Sequence, residues 1–156
     1  MILAIGSDHA GFSLKQEIIT ALQQENHQLI DCGTYSSQSV DYPDIAEKVA
    51  HKVLEENILG ILICGTGIGI SIAANKIRGI RAALCHDPYS AAMAREHNDA
   101  NIIAIGSRVS GSGIALAMIK TFINTKFQGG RHQLRIEKIG SLEIKCQEGS
   151  QASGLY

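Results

Sequence analysis

The sequence has no run of about 18 consecutive apolar residues, so no membrane-spanning helix is expected. It also lacks an excess of either charge. Lysine and arginine number 14 against 15 aspartates and glutamates, a net charge of −1. That balance gives no electrostatic case for nucleic acid or an anionic membrane as a partner. The first residues, Ile2-Leu3-Ala4-Ile5-Gly6, read as a strand, without the basic region and cleavage site of a signal peptide. Cys32, Cys64, Cys85 and Cys146 are widely spaced and form no CxxC pair, which removes the pattern of a zinc site or a thioredoxin-type dithiol. Reduced thiols in a cytoplasmic protein are the simplest account, with three of the four cysteines buried or incidental. No internal repeat and no low-complexity tract interrupts the chain.

What is present is an ordinary globular composition, 45% apolar over 156 residues. That length suits one domain. The expected organisation is a single domain over 1–148 and a flexible polar tail over 149–156. Strand-like segments at 2–6, 28–32, 60–64, 80–85 and 102–106 alternate with helical patterns over 12–24, 69–77 and 111–126. Pro43 and Pro88 each open a further helix, the second ending near His97. Strands alternating with helices imply a parallel sheet covered on both faces. The expected fold class is therefore α/β, a Rossmann-like doubly wound five-stranded parallel sheet. A further helix over 131–147 has no strand left to cover and can pack on a partner subunit.

In such a sheet, ligands bind beyond the carboxyl ends of the strands. The polar clusters fall at those ends: Ser7-Asp8-His9, Cys64 to Gly69, and Ser107-Arg108. The run Cys64-Gly-Thr-Gly-Ile-Gly69 stands out, because a glycine turn opening a helix presents unpaired N–H groups beside a thiol. It lacks the GK[ST] ending of a P-loop, and as a bare pattern it is compatible with a packing turn. Asp87 lies about twenty positions on, as a dinucleotide site requires, but Pro88 after it reads as a helix start. Cys64 is either a core cysteine or a proton-transfer group. In the second role, oriented N–H donors could each contribute about 3 kcal/mol to an enediolate transition state. Arg131 and Arg135, four apart, share a helix face that is either a solvated basic surface or a phosphate clamp. His97-Asn98 closes a helix, where the histidine is a dipole cap or a general acid. His132 and the other histidines, apart from His9, have no supporting context.

The motifs Asp8-His9-Ala10-Gly11, Asp41-Tyr42-Pro43, Cys64 to Lys76, Arg95 to Asn101, Gly106-Ser-Arg108 and Gly130 to Arg135 resemble type B ribose-5-phosphate isomerases in order and spacing. The similarity spans about residues 1–146. The wider family includes isomerases of allose and galactose phosphates. The resemblance implies a cofactor-free and metal-free aldose–ketose isomerase acting on a sugar phosphate in the non-oxidative pentose phosphate route. It implies that Cys64 moves a proton between C2 and C1 through a cis-enediolate. The backbone of Gly65, Gly67, Ile68 and Gly69 would form the anion hole, with Thr66 beside it. His97 would help open the sugar ring, with Asn98 nearby. Asp8 and His9 would contact sugar or phosphate, and Arg131 and Arg135 would hold the phosphate. It also implies a homodimer or a pair of dimers, with His97, Asn98 and Arg108 reaching into the neighbour's site. One branch of the family carries a glutamate just after the glycine loop in place of the cysteine. Ile70 stands there and cannot act as a base, which aligns the chain with the cysteine branch.

Overall fold

The structure, a computed structural model, describes residues 1–152, and side chains as far as Ile144. The elements in order are β1 (Ile2–Ser7), α1 (Phe12–Gln24), β2 (Gln28–Asp31), α2 (Tyr42–Glu56), β3 (Leu59–Cys64), α3 (Ile68–Ala74), β4 (Ala82–Leu84), α4 (Pro88–Asn98), β5 (Ile102–Gly106), α5 (Ser112–Asn124) and α6 (Arg131–Ala152). The five strands form one all-parallel sheet in the order β2-β1-β3-β5-β4. Two differences from the sequence reading are local. β4 keeps three residues of the expected six. α6 continues past 147 to Ala152, into the segment read as a tail, and residues 153–156 of that segment lie outside the described residues.

The strands read as unbroken apolar runs because helices cover both faces. On one face α1, α4 and α5 bury Leu14, Ile18, Leu22, Ala91, Ala94, Met118 and Phe122 against Leu3, Ile5, Ile61, Ile63, Ile103 and Ile105. On the other, α2 and α3 bury Ile45, Val49, Val53, Ile70 and Ala74 against Ala4, Leu62, Ile102 and Ala104. Each fully buried Leu or Ile contributes roughly 1.5–3 kcal/mol relative to exposure. The helix starts follow local chemistry. Asp87 Oδ1 accepts the Ser90 N–H at 2.8 Å and caps α4, which assigns Asp87 a structural task and removes the case for a ribose contact. Asp99 ends the same helix in the left-handed conformation (φ 42°).

One charged side chain is wholly inside. Lys15, on α1, is 0% exposed and its ammonium lies 2.5 Å from both carboxylate oxygens of Asp31, at the end of β2. Asp31 Oδ1 also accepts the Gly33 N–H at 2.9 Å. The Gly33 carbonyl in turn accepts the Ser7 N–H, and the Ser7 carbonyl accepts the Thr34 N–H, both at 2.7 Å. The ion pair therefore ties α1 to the loop that fixes the end of β1.

Breaking a buried pair by removing one partner strands the other charge, at a cost of about 3–5 kcal/mol. Asp31 keeps partial hydration, its side chain being 26% exposed. Lys15→Met is accordingly expected to lower unfolding stability by about 3 kcal/mol, the lower end of that range. Urea unfolding checks this, and Lys15→Met/Asp31→Leu should recover part of the loss. An unchanged midpoint for the single variant would show that the pair contributes nothing.

Candidate active site

The site starts from the crossover directions. β1 and β5 pass to α1 and α5 on one face, whereas β3, between them, passes to α3 on the other. The carboxyl end of β3 is therefore flanked by chain that turns away on both sides, which opens the crevice where such sheets bind ligands.

Cys64 is the last residue of β3, 4% exposed. The chain turns at Gly67, whose φ of 78° lies in the left-handed region. A β-carbon there would also fall 2.5 Å from Leu84 Cδ1 and 2.9 Å from the Ile105 carbonyl carbon, so only glycine fits. The turn aims the Gly67 N–H back at Cys64 Sγ, 3.0 Å away. That bond fixes the sulfur against the turn, at the point where the glycine loop begins. The Ile68 N–H donates to Thr66 Oγ1 at 3.3 Å. Two loop donors, those of Gly67 and Ile68, are thus engaged within the chain. Gly69, in the first turn of α3, keeps an N–H that no side chain among the described residues accepts.

Four neighbours surround this loop. Asp8 is buried after β1, its N–H donating to the Ile63 carbonyl at 3.1 Å and its Oδ1 accepting the Gly11 N–H at 3.0 Å. His9 follows it, half-buried, and its Nδ1 accepts the Val40 N–H at 3.4 Å. That bond puts the proton of a neutral ring on Nε2 and makes His9 a donor toward a ligand. Arg108 lies beside the loop in the same chain. Its N–H donates to the Gly65 carbonyl at 3.0 Å, and a β-carbon at Gly65 would sit 3.4 Å from its Nη1. Within the single chain, Arg108 therefore lies over its own glycine loop. Tyr42, quoted in a motif but given no role, packs its ring on Gly69, where a β-carbon would lie 2.7 Å from its Cζ.

The remaining candidates lie at the other end of the sheet. α4 returns from the carboxyl end of β4 to the amino end of β5, so His97 and Asn98 sit near the start of β5. Cys64 is level with Gly106, at its finish. The four residue steps between Ile102 and Gly106 separate the two levels by about 13 Å. Arg131, His132 and Arg135 join the His97 group: the His132 ring stacks on His97 with centroids 4.3 Å apart and planes 5° from parallel. Arg135 Nη1 donates to the Arg131 carbonyl at 2.7 Å, and both arginines are exposed. His132, which the sequence left without supporting context, thus has a structural contact. The i, i+1 neighbourhood of Arg131 gave no hint of a partner on another helix.

The other described cysteines are free and lie away from the loop. Cys32 is half-buried, and burial pushes the Cys85 thiol up to about 11, which suits an inert packing residue. Side-chain placement for Cys146 lies outside the described residues.

A crevice thiol flanked by a carboxylate, a histidine and an arginine is the equipment of proton transfer on an anionic substrate. Comparison with known proteins gives it a family: residues 3–139 match the one described as Ribose/Galactose Isomerase. The chain belongs to that family. Ribose-5-phosphate isomerase B of Escherichia coli is 49% identical over 142 residues, 90% of this chain and 95% of that protein. The D-erythrulose-4-phosphate isomerase of Pectobacterium atrosepticum is 43% identical over 143 residues, 90% of this chain and 94% of that one. Among solved structures, ribose-5-phosphate isomerase B of Clostridium thermocellum superposes with a TM-score of 0.91 at 53% identity, covering 93% of this chain and 99% of that one. No helix among the described residues is long and apolar enough to cross a membrane.

The histidine stack carries its own prediction. Desolvation first, then the charges of His97, Arg131 and Arg135, hold the His132 imidazole below its ordinary range. Because the folded value is depressed, the stack's contribution is present above the unfolded value near 6.5 and declines as pH falls below it. An NMR titration of the His132 ring should have its midpoint below about 6.5, and His97→Ala should raise it. A His132 midpoint at the unperturbed value in the wild type would contradict the stacked arrangement.

Proposed function

We propose that the chain is an aldose–ketose isomerase interconverting ribose 5-phosphate and ribulose 5-phosphate, with no cofactor or metal, as a single domain over 1–148 in the cytoplasm. Relatives of that activity at 46–49% identity support the substrate. The observation that carries the chemistry is the Gly67 N–H on Cys64 Sγ at the mouth of the crevice. As thiolate, Cys64 takes the C2 proton of the open-chain aldose. The resulting cis-enediolate holds its negative charge against the remaining loop donors while the hydroxyl proton passes from O2 to O1, and the thiol returns its proton to C1, which leaves the carbonyl at C2. Asp8, and His9 through Nε2–H, orient the sugar hydroxyls. Thr66 fixes the loop.

His97, which opens the furanose, and the phosphate-holding pair Arg131 and Arg135 stand at the opposite end of the sheet, with Asn98 beside them. They serve a site only if a second copy delivers them. The reading is therefore a homodimer, or a pair of dimers, with each site built from the Cys64 end of one copy and the His97 end of the other. Arg108 belongs to the Cys64 half.

A coupled assay of ribose 5-phosphate isomerisation tests the base. Cys64→Ala should lose about 10²–10⁴ in kcat, and near-normal turnover would show that another group moves the proton. Mixing tests the shared site. Cys64→Ala and His97→Ala, each nearly inactive, should regain about a quarter of wild-type activity after subunit exchange, since about half the dimers become mixed and each mixed dimer has one intact site. No recovery despite proven exchange would mean that each chain builds its own site. A second reading, a four- or six-carbon sugar phosphate on the same chemistry, is favoured by the erythrulose-phosphate relative and the family's galactose members. Competing kcat/KM values decide between them.

A further inference from the structure

The phosphate-holding residues ride on the least embedded helix of the chain. No described side chain of α6 is buried. It is joined to the rest through Gly129 and Gly130, both left-handed (φ 64° and 57°), with no atom within 4 Å of where a β-carbon would stand. Such a junction leaves the direction of α6 undetermined by the backbone. The direction nevertheless matters, because a displacement of about 1 Å in a positioning group can cost up to 10²-fold.

Two features hold the helix. At its start, the His132 ring lies on His97. Three turns on, α6 crosses an open groove of about 650 Å³, where Ile139 and Leu142 face Ile80, Ala82 and Ala83. At the far side of this groove, both carboxylate oxygens of Glu143 accept the Gly79 N–H, at 3.2 and 3.3 Å. Gly79 presents that N–H because it is itself left-handed (φ 85°), in the turn leading to β4, and its carbonyl is fixed by Asn101 Nδ2 at 2.8 Å. The acceptor thus docks on a turn anchored to β5.

We propose that Glu143 is a positioning residue for phosphate binding: its bond to Gly79 sets the angle of α6 and thereby the placement of Arg131 and Arg135. The helix is a lever pivoted at Gly129-Gly130, with the arginines beside the pivot and the fastening at the far end. Rotation about the pivot moves the guanidinium groups, whereas Cys64, on another element, stays where it is. The inference rests on the phosphate role proposed above for the two arginines.

The test measures KM and kcat for ribose 5-phosphate, the inhibition constant of inorganic phosphate, and the dimer fraction by sedimentation. Glu143→Ala should raise KM and the phosphate inhibition constant together, by about fivefold to twentyfold, with kcat within about twofold and the dimer intact. Glu143→Gln, which keeps an acceptor oxygen, should restore both constants. Arg135→Ala is the control and should raise KM. If Arg135→Ala does so but Glu143→Ala changes neither constant, the positioning role is wrong. It is equally wrong if Gln fails to rescue, or if dissociation of the dimer accounts for the effect. If Arg135→Ala leaves KM unchanged, the arginine reading fails and takes this one with it.

Discussion

A parallel strand passes to the next one over one face of the sheet or the other, and β3 differs in this from both its neighbours. That single reversal opens the crevice on either side of Cys64 and exposes the glycine turn to a ligand. It also demands close quarters. The turn at Gly67 lies against Leu84 and the end of β5, and so reaches Cys64 Sγ with its N–H. With the crossover on the usual side, Cys64 would be one more buried residue of a strand. The Lys15–Asp31 pair serves the same crevice from the other flank, by holding the loop that fixes Ser7 and, through it, Asp8.

The candidate residues fall at the two ends of the sheet: Cys64 and its glycine turn at the carboxyl end, His97, Arg131 and Arg135 at the amino end. This division follows from the right-handed crossover: a helix that starts at the carboxyl end of one strand must finish at the amino end of the next. His97 lies where α4 finishes, and α6 begins beside it because α5 returns the chain to that same end. In the proposed dimer, a symmetric pair of chains, each offering one end to the other, would complete both sites in one operation.

Most of the fold was legible because its signals are local. Apolar runs marked the buried strands, and Pro43 and Pro88 marked helix starts. The glycine loop and Cys64 were legible because a strand followed by glycines has few arrangements. What escaped depends on distances that spacing does not encode. The stack of His132 on His97 joins two helices 35 positions apart in the sequence. Arg108 lies over Gly65 of its own chain, a contact brought about by the β3–β5 pairing and not by spacing. β4 came out short at its start because the Arg81 N–H donates to the side-chain oxygen of Asn101, at 2.8 Å, instead of to a strand carbonyl. Tyr42 stands at a helix start, a position that gives its ring no visible partner in the sequence; its contact with Gly69 comes from the packing of α2 against α3.

The sheet's outer strands have a bearing on how copies meet. β2 has four residues and β4 three, so each free edge offers a neighbour only a few backbone pairs. Edges this short are poor templates for joining sheets across molecules. Under the proposed dimer, a second copy would thereby be turned away from the sides of the sheet and toward its ends and helices.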